Sequence, residues 1–198
     1  MRKITTRQTN KEKILDQGVV LLMQRGYHGT GLQDILQSVG VPKGSFYNYF
    51  GSKEDFGAEV VRHYIEPFIQ QLDRHLQRRE LTGAEALDAY FGELIEEAER
   101  RNYLGGCLLG NLIGEIGDTS ETCRLSLSAA LHRYLDKIGE AISRGQQEGS
   151  FRQDKSAGEL ADMLVNAWQG ALLRMKIEQS VQPLEDCCLL FLKDYFKA

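Results

Sequence analysis

No apolar run in this chain approaches the roughly 18 residues that would span a membrane, so no membrane association is expected. The charged opening, MRKITTRQTNKEK, leads into no apolar core of the kind a signal peptide carries. Cysteine is scarce, with four residues at 107, 123, 187 and 188. Four do not make a secreted disulfide framework in a chain this long, and a reducing cytoplasm is the expected setting. A metal site needs clustered ligands, and Cys123, His132 and the vicinal Cys187-Cys188 fall at no recognised spacing; neither metal nor cofactor is expected. An enzyme is not expected either. A nucleophilic cysteine needs a positioned base, and His28, His63, His75 and His132 sit in no such motif. Strand-like alternation is scarce, and there is no internal repeat. The net charge of −4 excludes a uniformly basic surface.

What is present is helical periodicity. Apolar residues recur at spacings of three and four almost throughout, which predicts an all-α chain of about nine helices. Capping-box patterns at Thr9/Glu12, Thr30/Gln33, Ser52/Asp55, Thr82/Glu85 and Ser156/Glu159 mark helix starts. The predicted helices cover about 10–25, 32–39, 43–49, a long one from Lys53 with a kink at Pro67, then 83–101, 105–116, 121–148, 157–179 and 184–196. Gly26, Gly40 and Gly149 suit helix ends, and Pro183 suits the first turn of the last helix. The one domain boundary falls near residues 50–60, dividing the chain into 1–55 and 56–198.

Charge is unevenly spread over that division. Residues 1–53 hold eight Lys and Arg against three acidic residues, a balance of +5, which leaves −9 of the total −4 for residues 54–198. The N-terminal part is therefore the part suited to a polyanion. Within it stands VPKGSFYNYFGSKE, residues 41–54. Helices of seven or eight residues do not stand alone in water, so the two short ones must be held by packing. Phe46 and Phe50, four apart, share one face and can bury against Ile35, Val39 and the first helix. Helix, glycine turn and second short helix make a helix-turn-helix, whose second helix can enter a DNA major groove. Gly44 permits close backbone approach, and Lys43, Ser45, Tyr47, Asn48 and Tyr49 occupy the remaining faces. Thr30, Gln33 and Lys53 lie at two further helix starts, where phosphates are favoured.

The run RGYHGTGLQDILQSVGVPKGSFYNYFGSKEDF, residues 25–56, resembles the DNA-binding region of TetR-family transcriptional regulators. Gly26-Tyr27, Thr30, Ile35, Gly40-Val41, Gly44-Ser45-Phe46-Tyr47, Phe50 and Ser52-Lys53-Glu54 carry the likeness. It departs at Leu36, where alanine is common, at Phe46, where leucine is common, and at Ser45, where threonine is usual. The resemblance implies an N-terminal three-helix reading head on a palindromic double-stranded operator, and a C-terminal domain for a small-molecule effector and homodimerisation. Repression is the family default.

A second stretch, NYLGGCLLGN, places Cys107 behind two glycines at a predicted helix start, where the positive dipole end favours the reactive thiolate. A small buried hydrophobe is the other reading of such a cysteine. Lys176 follows Leu172 by four and Trp168 by eight, on or beside an apolar face running Leu160, Met163, Leu164, Ala167, Trp168, Ala171, Leu172, Met175; it either snorkels or has a partner. Gly-Cys-Leu at 106–108 and Leu-x-x-Lys-Ile at 173–177 resemble the family's branch that senses N-ethylmaleimide, quinones, reactive aldehydes and hypochlorite. The resemblance implies Cys107 as sensor and Lys176 as its partner, oxidation linking sulfur to amine. The alternative is a reversible ligand without thiol chemistry, in an apolar pocket lined by Tyr64, Trp168 and Met175. For the dimer, the family pattern points to the last two helices, with Trp168, Ala171, Leu172, Leu184, Cys188, Phe191 and Leu192 as candidates. Cys187 and Cys188 read as core or interface, and Cys123 takes no assignment.

Overall fold

Local signals set the helix ends in the computed structural model, which describes residues 6–198 apart from the side chains of Thr6, Arg7, Gln8 and Lys43. The elements are α1 (Thr6–Arg25), α2 (Leu32–Ser38), a 3-10 helix (Lys43–Asn48), α3 (Lys53–Leu76), α4 (Gly83–Arg100), α5 (Leu108–Ile116), α6 (Glu121–Gln147), α7 (Ala157–Glu178) and α8 (Gln182–Cys188), continued by a π-helical segment (Leu189–Tyr195). The protein is all-α; among the described residues the one β contact is an isolated bridge between Phe151 and Lys197.

Thr82 and Ser156 form full capping boxes with Glu85 and Glu159. Gly26 and Gly40 take left-handed φ of 73° and 67° just past α1 and α2, conformations glycine adopts without a Cβ penalty. Three expectations are corrected. Thr9 lies inside α1, not at its start. The N-cap of α2 is Gly31 without a side-chain cap, because Thr30 directs its hydroxyl elsewhere. The last predicted helix changes from α to π at Leu189. Pro67 sits inside α3 without ending it.

The chain divides into two compact units. The first holds the described residues up to Glu66 together with Leu108–Ala130. Its core gathers Ile14, Leu15, Leu21 and Leu22 of α1, Ile35 and Leu36 of α2, Phe46 and Phe50, and Phe56, Val60 and Val61 of α3. Gly18 permits close packing against α3: a Cβ there would lie 2.6 Å from the Phe56 ring. The start of α6 is pinned to α3 by Ser126, whose Oγ donates to the Ala58 carbonyl at 2.8 Å.

The second unit holds Pro67–Cys107 and Leu131–Ala198. Ala86, Leu87, Tyr90 and Phe91 of α4, Ile138 and Ile142 of α6, and Leu160, Leu164, Trp168 and Met175 of α7 are buried there with Leu184, Leu192 and Phe196. Each leucine, isoleucine, phenylalanine and methionine among them contributes about 1.5–3 kcal/mol by leaving water.

Candidate nucleic-acid interface and sensor site

The short reading helix is held by aromatic packing. Phe46 and Phe50 are 1% and 2% exposed, with ring centroids 5.2 Å apart, and Phe56 stands 5.9 and 5.1 Å from them. These rings anchor six residues of 3-10 helix that could not persist alone. The anchoring leaves Gln33, Gly44, Tyr47 and Asn48 exposed and Ser45 and Tyr49 half-buried. Tyr47 is 66% exposed, a large exposure for an aromatic side chain beside a packed core. The Lys43 side chain lies outside the described residues.

Two expected phosphate contacts are occupied within the protein. Thr30 is fully buried, and its hydroxyl donates to the Gly26 carbonyl at 2.6 Å and the Leu21 carbonyl at 3.2 Å. It braces the turn after α1. Lys53 is half-buried; its Nζ donates to the Tyr27 carbonyl at 2.8 Å and stands 4.5 Å from the centre of the Tyr27 ring. Burial pushes the Lys53 ammonium below its ordinary value, and the Glu115 charge opposes the shift. Burial also pushes the Tyr27 phenol up, with Cys123 and Glu54 adding to it.

Glu115 was not foreseen. It accepts from the Tyr27 and His28 amides, each at 2.7 Å, across sequence separations of 88 and 87 residues. No local pattern could have revealed it.

In the second unit, Cys107 immediately precedes α5 and is half-buried. It follows a run of left-handed residues, Asn102, Tyr103, Gly105 and Gly106, two of them without glycine's freedom. The Lys176 stem crosses over Gly106: a Cβ on that glycine would lie 3.1 Å from Lys176 Cδ. Gln169 of α7 donates through Nε2 to Cys107 Sγ at 3.3 Å. Gln169 and Lys176 are seven apart and share one face of α7, a spacing legible in the sequence. One helical residue thus meets the thiol with an amide donor, and another lays its ammonium-bearing stem over the neighbouring Gly106. The buried Tyr90 phenol, which donates to Tyr134 Oη at 3.1 Å, is pushed up by burial and further by the sulfur of Cys107.

The three pocket candidates are buried. Trp168 is 4% exposed and stacks edge-on against Phe91 at 4.7 Å, and Met175 is 1% exposed. Tyr64 belongs to the first unit, where its hydroxyl accepts from the Leu108 amide at 3.3 Å. Two open grooves, of about 540 Å³ along Phe50, Arg62 and Leu125 and about 510 Å³ along Thr82, Phe151 and Lys193, include none of the three.

The dimer candidates divide by burial. Trp168, Ala171, Leu184 and Leu192 are buried within a single protomer. Leu172, Cys188 and Phe191 are half-buried. The apolar residues left outside are Met163, Leu173 and Ile177 on α7, with Leu189 and Leu190 beyond α8. Of the remaining thiols, Cys123 and Cys187 are buried. Among the described residues no three His, Cys, Asp or Glu side chains are placed to hold a metal ion, and no helix is long and apolar enough to cross a membrane.

Comparison with known proteins agrees with this arrangement. Residues 14–60 match the family of bacterial regulatory proteins of the tetR type, and residues 83–190 match the tetracyclin repressor-like C-terminal domain. The HTH-type transcriptional repressor DhaR of Mycobacterium sp. strain GP1 is 35% identical over 88% of this chain and 86% of its own length. The HTH-type transcriptional repressor NemR of Escherichia coli K12 is 32% identical over 94% of this chain and 93% of its own. The crystal structure of E. coli NemR in its reduced form superposes with a TM-score of 0.86 at 31% identity, covering 95% of this chain and 97% of that one.

Proposed function

Because the chain belongs to the TetR family of bacterial regulatory proteins, we propose that it is a DNA-binding repressor released from its operator when an electrophile or oxidant acts at Cys107. The observation that carries the proposal is the setting of that thiol. It is accessible, it accepts an amide N–H from Gln169, and the Lys176 stem lies over the neighbouring Gly106. A structural cysteine needs neither companion. The likeness to a protein whose crystal structure is of a reduced form supports a redox response in this chain.

The chemistry is balanced without any further group. A maleimide or quinone accepts the thiolate at its electron-poor alkene, forming a carbon–sulfur bond, and the carbanion takes a proton. Hypochlorite oxidises the thiol by two electrons to a sulfenyl chloride with loss of water. The unprotonated Lys176 amine then displaces chloride, forms a sulfur–nitrogen bond and releases a proton. A thiol reductant reverses the second reaction but not the first.

The working unit is a homodimer in the cytoplasm. The exposed α7 residues Met163, Gly170, Leu173 and Ile177 fall at alternating spacings of seven, three and four, a seam a second copy of the helix can fill. A two-fold axis then sets two reading helices about one DNA turn, roughly 34 Å, apart on a palindrome.

The test is a gel-shift titration on the DNA upstream of the protein's own gene, with the parent and Cys107→Ser. Both bind. The parent is released by N-ethylmaleimide and by hypochlorite, and dithiothreitol restores binding only after hypochlorite. A Cys107→Ser variant released as readily as the parent overturns the thiol reading. In that event the effector is a reversibly bound small molecule.

A further inference from the structure

The turn between α1 and α2 is fastened from several directions at once. Gly26 ends α1 at φ 73°, which leaves the next two amides, Tyr27 and His28, without helical carbonyls to meet. Successive N–H groups after a left-handed residue form a small anion-binding concavity. The Glu115 carboxylate sits in it, Oε2 on Tyr27 N and Oε1 on His28 N, both at 2.7 Å. Gly26 is required twice over, since a Cβ would stand 2.7 Å from Glu115 Oε2. On the opposite side of the same Tyr27 residue, Lys53 at the start of α3 donates to the carbonyl at 2.8 Å. Thr30 closes the loop on the Gly26 carbonyl at 2.6 Å. One backbone residue is thus held by an anion at its N–H and a cation at its C=O.

These holds come from elements with different neighbours. α5 begins at the residue after Cys107, and its first amide, Leu108 N, is received by Tyr64 Oη. Glu115 lies in its last turn. At 1.5 Å per residue α5 is a rod about 12 Å long, with one end next to the candidate sensor and the other on the turn that leads into α2. Carboxylate hydrogen bonds to amides are directional and short in reach, so a displacement of α5 by an ångström or two breaks them.

We propose that Glu115 is a positioning residue for DNA reading, the contact through which α5 fixes the turn 26–30 and, with it, α2 and the 3-10 helix. Movement at the Cys107 end of α5 withdraws the carboxylate, frees the turn and loosens the reading head. The link is a pair of hydrogen bonds additional to any motion carried along α3. Its positioning role stands independently of what moves α5; only the N-ethylmaleimide measurement below rests on the thiol reading.

The experiment uses the full-length protein as parent, Glu115→Gln and Glu115→Ala. Glutamine keeps the shape and one acceptor but turns a second donor toward an amide; alanine removes both acceptors. Amide hydrogen exchange is followed at Tyr27 and His28, with α7 as an internal standard of folding. Duplex affinity is measured before and after N-ethylmaleimide. Exchange at the two amides rises about tenfold or more in Glu115→Ala, while α7 is unchanged. Untreated affinity falls by about tenfold, and the further loss on N-ethylmaleimide treatment shrinks by a similar factor, because the variant already resembles the released state. Glu115→Gln falls between. Unchanged exchange overturns the proposal, as does untreated affinity equal to the parent's, or a treatment effect as large as the parent's. If the parent itself ignores N-ethylmaleimide, the thiol reading fails separately, and exchange with untreated affinity alone decides the role of Glu115.

Discussion

Replacing Gly44 separates the stability of the reading head from its fit to DNA. Gly44 lies in the 3-10 helix, is exposed, and a Cβ added there meets no heavy atom within 4 Å. Its φ is outside the left-handed region, so alanine is unstrained and lowers the entropy of the unfolded chain. Such a change stabilises by about 0.4–1 kcal/mol, which in a protein of this size raises Tm by roughly 1–4 °C. If the backbone at 44 approaches a duplex closely, the same methyl group intrudes there, and the three carbons of valine intrude further. The expected loss for Gly44→Val is tenfold or more in affinity, about 1.4 kcal/mol or above, with Gly44→Ala smaller. Thermal melting gives the first quantity and fluorescence anisotropy on an operator duplex gives the second. Because no charge changes, the slope of affinity against salt concentration stays that of the parent. Parent-like affinity in both variants refutes close approach at residue 44. A lowered Tm in Gly44→Ala refutes the reading of open space around it.

Phe46→Ala removes a ring packed against Phe50 and Phe56 and costs about 3–5 kcal/mol; duplex binding is lost while circular dichroism retains most of the helical signal, and a variant that still binds normally contradicts the anchoring role. Leu173→Glu with Ile177→Glu places charge on the exposed α7 seam; light scattering should report a monomer, and a persisting dimer moves the interface elsewhere. Burial pushes the Cys187 thiol up from 9.0 to about 11, and burial followed by the charge of Cys187 pushes Cys188 to about 12. The folded state therefore holds these protons more tightly than the unfolded chain, so their contribution is complete below pH about 9 and drains away as pH rises toward 12. Melting temperature should fall across that window, less steeply in a Cys187→Ala/Cys188→Ala variant; identical slopes remove these thiols from the account.

What was legible in the sequence was what short-range forces decide. The capping boxes at Thr82 and Ser156 and the glycine stops at 26 and 40 each depend on neighbours within a few residues. The same pattern at Thr30 misled, because the turn brought the Leu21 and Gly26 carbonyls within reach of the hydroxyl. The choice of a dimer face is open to the same ambiguity. α7 carries two apolar stripes, one through Leu164, Trp168 and Met175 that faces the protomer core and one through Met163, Leu173 and Ile177 that does not. Periodicity identifies both as stripes and says nothing about which the protomer uses. Lys53 was read as free to meet a phosphate because its partner, a backbone carbonyl 26 residues away, leaves no mark in side-chain pattern. Cys107 and Lys176 stand out by a glycine-rich helix start and an apolar helix face, and their pairing by resemblance to a family; their neighbour Gln169 required coordinates.

The path of the chain has a consequence for anyone building chimeric regulators. The boundary between the compact units is crossed three times, after Glu66, after Cys107 and after Ala130, and the first and last crossings fall inside α3 and α6. A single splice at the N-terminal side would transplant residues up to Glu66 and leave Glu115, Cys123 and Ser126 with the donor of the other half. The grafted head would then depend on a stranger's α5 to accept from the Tyr27 and His28 amides and on its α6 to donate to the Ala58 carbonyl. Interchangeable heads therefore require two grafts, the second being Leu108–Ala130.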